Sequence, residues 1–269
     1  MVSILEILGA IAAILLAIHA VSIWQFKRFI HRQIQALAAP VNQTDSPIRS
    51  LPKIVTDFAA RSRPEPLAQM TRIHQVGKMR FQPDSAWIPF TADQYFAMPQ
   101  PGFVWHARFG LPMPTTVIDS YVEGHGHLEA RLLGSIPVAK ATGPDADRGE
   151  LMRYLAELAC CPAALMGNSA LDWRQLDQQT VEVSVGQGQA RVSVRLAFDA
   201  AGDMVGAFAP NRPHSVGDRV EYSPWRGIWF DYQTLFGHRI PTRGEVSWEL
   251  DTGLFTYWQA QITAIATVP

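Results

Sequence analysis

One helical segment divides a chain in which apolar and polar residues otherwise alternate mostly as in β-strands. In residues 147–168 the apolar side chains recur at helical spacing, at Leu151, Leu155, Leu158 and Pro162. This spacing is typical of a helix that packs one face against a larger surface. The charged residues fall on the other face, at Glu150, Arg153 and Glu157. We expect them to be solvated there and to pair weakly in water.

The ends of this helix carry recognisable signals. Asp147 is a suitable N-cap, and Glu150 follows three residues later at the spacing of a capping box. Pro162 predicts a kink or a restart of the helix. Gly167 and Asn168 favour a left-handed C-cap. The sequence therefore predicts a helix that is interrupted near its C-terminal end.

Strand-like alternation occupies both sides of the helix. Before it, the pattern predicts strands at residues 73–81, 87–96, 103–110, 116–123 and 127–140. After it, strands are predicted at residues 180–185, 190–199, 204–210, 222–232, 239–250 and 255–268. Short glycine-containing turns at 186–188 and 200–203 join neighbouring strands as hairpins. We therefore expect an α+β fold, in which a curved, mostly antiparallel sheet wraps around the central helix.

An apolar run precedes this domain. Residues 4–23 (ILEILGAIAAILLAIHAVSI) form a run of twenty, and Glu6 lies near its end. At ~1.5 Å per residue it spans ~30 Å, the thickness of the hydrocarbon core of a bilayer. A cleaved signal peptide fits poorly, because no Lys or Arg precedes the run and the run exceeds an h-region. We interpret it as a single-pass anchor, with a buried core helix as the alternative.

The sequence predicts three parts. Residues 1–24 are the anchor, residues 25–47 are a juxtamembrane helix and linker, and residues 48–269 form one α+β domain. Basic residues directly follow the anchor, at Lys27, Arg28 and Arg32. The positive-inside rule then places the domain in the cytoplasm.

Composition excludes some functions. The net charge is −1 and no Lys/Arg-rich run exists, so nucleic acid is not an expected partner. Cys160 and Cys161 are the only cysteines, and they are adjacent, which leaves neither a disulfide framework nor a cysteine-based zinc site. Eight Trp and thirteen Phe predict either a large aromatic core or an apolar cavity. No cofactor motif is present.

Two groups of polar residues are candidates for chemistry. His125 and His127 share a face of an extended chain, so they are weak candidates for a zinc site. A third ligand would have to come from another strand, and a polar turn is the favoured interpretation. Arg243 can pair with Asp231 or Glu245 at the mouth of a cavity and receive a lipid head group. A structural ion pair at a strand end is the favoured interpretation there.

Several segments together resemble a known family. They are residues 103–108 (FVWHAR), 119–126 (DSYVEGHG), 141–144 (ATGP), 149–157 (GELMRYLAE), 162–165 (PAAL), 224–225 (PW), 231–232 (DY), 240–248 (IPTRGEVSW) and 255–258 (FTYW). In this order and spacing they resemble the bacterial DUF6544 family, formerly DUF6920, over about residues 50–268. Residues 159–161 (ACC) depart from the bulkier aromatic residues that the family usually has there.

The resemblance implies a fold without an activity. That fold is similar to lipoprotein carriers and mycobacterial lipid-binding lipoproteins, in which a half-barrel closed by helices surrounds an apolar cavity. Such carriers work outside the cytoplasm, so the resemblance implies the periplasmic or extracytoplasmic side, opposite to the charge rule. Fold alone does not assign function.

The leading hypothesis is a membrane-anchored, non-enzymatic protein that binds a lipid-like or other hydrophobic ligand in the half-barrel. The residues expected to line the cavity or its mouth are Trp105, Tyr121, Leu155, Leu158, Trp229, Tyr232, Arg243 and Trp248. The first alternative is an envelope scaffold with a filled core and an unknown protein partner. The second is a metal-dependent hydrolase that uses His125 and His127.

Overall fold

The described strands form a single antiparallel sheet. The computed structural model describes residues 3–38, 51–62, 70–217 and 219–268. Within them, thirteen strands pair in the order β6-β5-β4-β3-β2-β1-β13-β12-β11-β10-β9-β8-β7. The sheet curls into a half-barrel, which confirms the predicted α+β class. The linker predicted at 39–47 lies outside the described residues.

Each half of the sheet is a meander of consecutive strands. The first half comprises β1 (Met70–Met79), β2 (Ile88–Ala97), β3 (Phe103–Phe109), β4 (Thr115–Val122), β5 (His125–Leu132) and β6 (Ile136–Thr142). The second comprises β7 (Asp172–Gln175), β8 (Thr180–Val185), β9 (Val192–Phe198), β10 (Met204–Val216), β11 (Arg219–Leu235), β12 (His238–Leu250) and β13 (Gly253–Val268). The pairing of β1 with β13 joins the two halves.

The helices connect or cover the sheet. They are α1 (Ile4–Leu37), α2 (Lys53–Ser62), α3 (Pro144–Ala156), a 3-10 turn (Glu157–Cys160) and α4 (Pro162–Gly167). The segment from α3 to α4 links the two meanders and packs on the inner face of the half-barrel. Its apolar residues share one core with strands from both halves. Leu155 and Leu158 have no exposed surface, as the apolar stripe predicts.

The segment predicted as one strand at 127–140 is instead a hairpin. β5 and β6 are joined by a turn in which Leu133 (φ 54) and Gly134 (φ 72) take left-handed backbone conformations. Leucine rarely adopts that conformation, so its side chain gave no turn signal. The short strand β7 was not predicted either, because Asp172 and the polar residues beside it conceal the alternation.

The predicted caps of the central helix are wrong, whereas its interruption is confirmed. α3 begins at Pro144, with Gly143 at the N-cap. Asp147 lies in the first turn, and its Oδ1 accepts a hydrogen bond from the Gly126 N–H at 2.7 Å. Pro162 restarts the helix as α4. Asn168 has φ −99, so the C-cap is not left-handed.

α1 is one continuous helix whose two parts differ in burial. Its N-terminal part is exposed, but its C-terminal part packs on the outer face of the sheet through Phe26, Ile30 and Leu37. The sheet residues in this second core are Met70, Ala97, Val104, Ile118 and Val122. Residues 25–37 of the predicted juxtamembrane segment therefore belong to the folded domain by packing.

We expect Leu155→Asp to unfold the half-barrel. Leu155 lies in the core shared by both meanders, and truncating such a leucine alone costs roughly 2–5 kcal/mol. A buried charge adds a desolvation penalty. Denaturant unfolding of the full chain in detergent, followed by circular dichroism, measures the loss. Met166→Asp is the control, since that α4 side chain is 52% exposed and should tolerate the charge. A cooperative, near-wild-type transition for Leu155→Asp would contradict the central role of α3.

Candidate functional site

A cluster of buried charges lies between α3 and the sheet. Its members are Asp119 on β4, Glu150 and Arg153 on α3, Glu157 in the 3-10 turn, and Arg212 on β10. Each of these side chains exposes only 9–12% of its surface. The interpretation of Glu150, Arg153 and Glu157 as solvated helix charges is therefore wrong. The reason is that the curled sheet covers both faces of α3.

Each guanidinium of the cluster bonds to carboxylates. Arg153 donates from Nη1 to Asp119 Oδ2 at 2.5 Å and from Nε to Glu157 Oε1 at 2.9 Å. Arg212 donates from Nη2 to Glu150 Oε1 at 3.3 Å and from Nε to the Gly149 carbonyl at 3.1 Å. These charge-assisted bonds offset part of the desolvation cost of burying the ions.

The arginines also stack on aromatic rings. The Arg153 guanidinium lies 4.8 Å from the Phe103 ring centre and 5.2 Å from that of Trp105. The Arg212 guanidinium lies 4.9 Å from Trp225. A cation–π interaction gains strength when the ring and the cation are desolvated. The aromatic residues around the cluster thus stabilise its positive charges.

The cluster has more acidic than basic groups, and one proton balances it. Asp119 Oδ1 and Glu150 Oε2 are buried and have no hydrogen-bond partner among the described residues. Burial, and then the negative charge of Asp119, raise the pKa of Glu150 to about 8, although Arg212 and Arg153 oppose the shift. A protonated Glu150 is a donor, and Asp119 is an acceptor for it. One proton on Glu150 therefore makes the charges of the cluster cancel.

A ladder of polar side chains leads away from the cluster. Trp105 Nε1 donates to Gln75 Oε1 at 2.8 Å, and Gln75 Nε2 donates to Gln94 Oε1 at 3.2 Å. Gln94 in turn donates to Glu157. Gln75 and Gln94 were not predicted as site residues. The available signal was a glutamine at an inward position of an alternating strand.

The ladder ends at a small crevice on the inner face. Its apolar wall is formed by Ile73, Phe96, Trp229, Trp258 and Ile262. Its polar wall is formed by Gln75, Gln94, Glu157 and Arg243, with Cys160 above them. The cavity measures about 10 Å³. That is roughly the space of one water molecule, so the protein's own side chains fill the interior.

Trp229 forms the flat base of the crevice. Its indole ring lies over Gly244 and Gly227; a Cβ on Gly244 would come within 2.5 Å of the ring atom Cζ3. Only glycine allows the ring to lie so close to the strand at Gly244. The buried Trp229 Nε1 has no hydrogen-bond partner among the described residues. It is a donor that points to no protein acceptor in this region.

Arg243, one of the residues that line the crevice, pairs with Asp231. Arg243 Nε lies 3.6 Å from Asp231 Oδ2, and the two side chains are 55% and 40% exposed. Thr242 Oγ1 donates to the Asp231 carbonyl at 2.7 Å. Hydrogen bonds from Gln233 and Thr242, and then the charge of Arg243, lower the pKa of Asp231. Arg243 is thus held beside Asp231 while about half of its side chain remains exposed.

The structure brings only Trp229 and Arg243 of the predicted lining residues together at the crevice. Trp105, Tyr121, Leu155 and Leu158 are buried in the main core. Tyr232 donates to the Met204 carbonyl at 2.6 Å, and Trp248 stacks on His214 with ring centres 4.2 Å apart. Glu157 and Cys160 were missed as lining residues.

The predicted histidine pair does not converge on a shared site. His125 is 82% exposed, and its Nδ1 lies 3.9 Å from Asp147 Oδ2. His127 Nε2 lies 3.2 Å from Glu129 Oε2, and burial lowers the pKa of His127. His74 Nδ1 contacts Asp93 at 3.0 Å. Across the described residues, no group of His, Cys, Asp or Glu is arranged to hold a metal ion.

Comparisons with known proteins match this chain to one family model and several structures. The model described as a family of unknown function, DUF6544, matches residues 41–260. No curated protein sequence matches.

The similar solved structures share little sequence with this chain. A LolA superfamily protein from Nitrosomonas europaea is 10% identical, with a TM-score of 0.45, 82% of this chain covered and 94% of that one. A DUF1329 family protein from Desulfovibrio piger is 10% identical, with a TM-score of 0.46 and coverage of 81% and 94%. A putative outer membrane lipoprotein-sorting protein domain from Vibrio parahaemolyticus is 7% identical, with a TM-score of 0.45 and coverage of 80% and 91%.

We expect the proton on Glu150 to make stability depend on pH. The pKa of Glu150 is about 8 in the folded chain and near 4.5 ordinarily, so between these values the folded state binds more protons. The free energy of unfolding contributed by this group is therefore full below pH ~4.5 and falls as the pH rises through about 8. Glu150→Gln mimics the protonated acid. Over this pH range the variant should therefore lose less unfolding free energy than the wild type, by about 1 kcal/mol or more.

Denaturant unfolding at a series of pH values measures the difference between variant and wild type. Glu221→Gln, at an exposed position of β11, is the matched control and should keep the wild-type slope. Equal pH slopes for wild type and Glu150→Gln would show that Glu150 is ionised in the folded state throughout this range.

Proposed function

This chain belongs to the DUF6544 family, and from that premise we propose that it is a membrane-anchored, non-enzymatic protein that binds a hydrophobic, lipid-like ligand in the crevice of its half-barrel. One observation carries the proposal. The crevice combines an apolar wall, which includes Trp229 and Trp258, with a lining residue, Arg243, whose side chain is 55% exposed. Ligand sites typically combine apolar lining with a few polar groups that set orientation.

The N-terminal part of α1 supports membrane anchoring. It is apolar and long enough to cross a bilayer, and its most apolar window has no residue buried in the protein. Leu5 is 83% exposed and Leu16 is 68% exposed. Contact with lipid would remove this surface from water. Trp24 follows the run at the position where aromatic residues meet the membrane interface.

The docked part of α1 argues against a removable signal sequence. Cleavage near the small residues at 36–39 would take away Phe26, Ile30 and Leu37. The outer-face core around Val104 and Ile118 would then be exposed to water. Retention of the whole helix keeps this core buried, which supports an anchor.

Ligand entry requires the crevice to open, because its present volume of about 10 Å³ admits no acyl chain. The 3-10 turn and α4 are the elements best suited to move. Both are short, and beside the larger Leu158 and Leu165 their buried residues include small ones, at Ala159, Cys160, Cys161 and Ala164. An inserted chain regains about 0.8 kcal/mol per buried CH₂, which offsets the contacts that opening removes.

Arg243 gives the site a preference for anionic head groups. A carboxylate or phosphate at the mouth can replace Asp231 as its partner, with bidentate geometry. The present distance of 3.6 Å to Asp231 leaves room for a better bond. The proposed ligand class is therefore an amphiphile with an apolar chain and a negative head group.

A second candidate function is an interaction scaffold with a permanently filled core. The filled interior of the half-barrel favours it. Its partner would then bind outside, where an open depression of about 290 Å³ lies over β8 to β11 and is bordered by Arg195, Arg226 and Ile228.

We expect a diazirine-bearing fatty acid to crosslink to the crevice of the full chain in lipid nanodiscs. Peptide mapping should place crosslinks at residues 157–160 and 258–262. Crosslinks on α1 are expected as well, and they report its contact with the membrane. Arg243→Gln removes a charge-assisted bond of about 1.5–3 kcal/mol and should lower crevice labelling roughly tenfold, while labelling of α1 stays constant.

Arg226→Gln is the matched control, because Arg226 is 46% exposed on the outer strand surface. It should leave the labelling pattern unchanged. Crosslinks confined to α1, together with a ligand-free mass in native mass spectrometry, would reject the crevice as a lipid site and favour the scaffold.

A further inference from the structure

Three hairpin loops of the first meander lie at the same edge of the sheet. Antiparallel pairing of β1 through β6 places the loops 80–87, 110–114 and 133–135 together, because each follows an odd-numbered strand. The turns 98–102 and 123–124 lie at the other edge. We call the first set the tip edge.

α1 passes the tip edge at the end of its apolar run. Ser22 Oγ donates to the Ser135 carbonyl at 3.0 Å, and Ser135 Oγ lies 2.6 Å from His19 Nδ1. At the other edge, Leu37 lies so close to Gly102 that a Cβ there would come within 2.8 Å of it. The helix therefore crosses the outer face from one edge to the other, and residues 4–18 extend beyond the tip edge.

The tip edge exposes large apolar side chains. Their exposed fractions are 66% for Phe81, 84% for Leu111, 62% for Met113, 50% for Leu133 and 50% for Ile136. Four of these residues come from the three loops and Ile136 begins β6, so exposure is not confined to one irregular turn. Exposed apolar groups gathered at one edge mark an interaction surface.

Aromatic and basic residues border the tips. The Trp87 ring lies between Lys78 Nζ at 4.9 Å and the Arg80 guanidinium at 4.8 Å. On α1, Trp24 is 56% exposed, and the Arg28 guanidinium lies 5.3 Å from its ring centre. Tryptophan beside a cation is typical of the head-group layer, and the positive charges complement anionic lipids.

We propose that the tip edge inserts its apolar side chains into the interfacial layer of the same bilayer that α1 crosses. The tips and the end of the apolar run stand at one level, since Ser135 contacts both His19 and Ser22. Insertion of α1 therefore places the bilayer surface next to these loops. The domain is held against the membrane by its sheet as well as by its anchor. This inference rests on the proposed function only through the membrane-spanning role of α1; it is independent of any ligand in the crevice.

The test measures the depth of single labelled positions in the full chain. Leu111→Cys and Leu133→Cys variants carry an environment-sensitive fluorophore and are reconstituted in vesicles of phosphatidylcholine and phosphatidylglycerol. Native Cys160 and Cys161 are buried, and burial raises the pKa of both thiols, so they should remain unlabelled. Quenching by lipids with a nitroxide near the head group reports contact with the interface.

Two control positions calibrate the result. Phe236→Cys replaces an apolar residue that is 76% exposed in the β11–β12 turn, at the opposite edge of the sheet. Leu15→Cys marks the middle of the apolar run of α1. We expect several-fold stronger quenching at Leu111 and Leu133 than at Phe236, together with quenching at Leu15 by nitroxides deep in the acyl chains.

A second variant tests the insertion directly. Leu111→Glu combined with Met113→Glu should reduce quenching of the label at Leu133 several-fold without changing the label at Leu15. If the label at Leu15 is quenched but the labels at the tips are quenched no more than the label at Phe236, the inference is overturned. The anchor would then stay in place, and a protein partner for the tips would be indicated. No quenching at Leu15 would remove the anchor, and with it both this inference and the membrane part of the proposed function.

Discussion

The pairing of β1 with β13 is the interaction on which the rest of the half-barrel depends. It runs from Met70 opposite Val268 to Met79 opposite Trp258, and it joins two meanders that otherwise pair only within themselves. The register shifts between His74 and Gln75, so that an extra residue of β13 is accommodated there. Such bulges redirect side chains and often lie beside functional sites. In this chain the crevice follows the same seam, because β1 and β13 supply much of its wall.

Closure of the sheet around α3 brings charges into a dry environment. Arg153 and Arg212 hold three carboxylates, one from β4 and two from the segment of α3 and the 3-10 turn, and aromatic rings cover the guanidinium groups. Buried ion pairs of this kind add little net stability, yet removal of one partner is costly because it leaves another charge unpaired. The cluster also extends through Gln94 to the crevice. The protonation of Glu150 and the packing beside the crevice are thereby physically connected.

α1 is joined to the domain through packing of its C-terminal part on the sheet. Phe26, Ile30 and Leu37 bury one stripe of its C-terminal part on the outer sheet face. The contacts of His19 and Ser22 with Ser135 set the position along α1 at which the sheet first contacts the helix. The orientation of the half-barrel relative to the apolar run therefore follows from side-chain contacts. The proposed ligand site on the inner face and the proposed membrane contact at the tip edge use different surfaces of one sheet.

Local periodicity in the sequence determined most of the strands, the apolar stripe of α3, the restart at Pro162 and the apolar run of α1, because each depends on neighbours within a few residues. Only the tertiary structure decided the environment of Glu150, whose partners Asp119 and Arg212 are distant in the chain. It also decided which aromatic residues reach the crevice: Trp229 does, and Trp248 stacks elsewhere. The partners and the pKa of Glu150 and the shape of the cavity depend on contacts between segments that are remote in the chain, and alternation along one strand carries no information about those contacts.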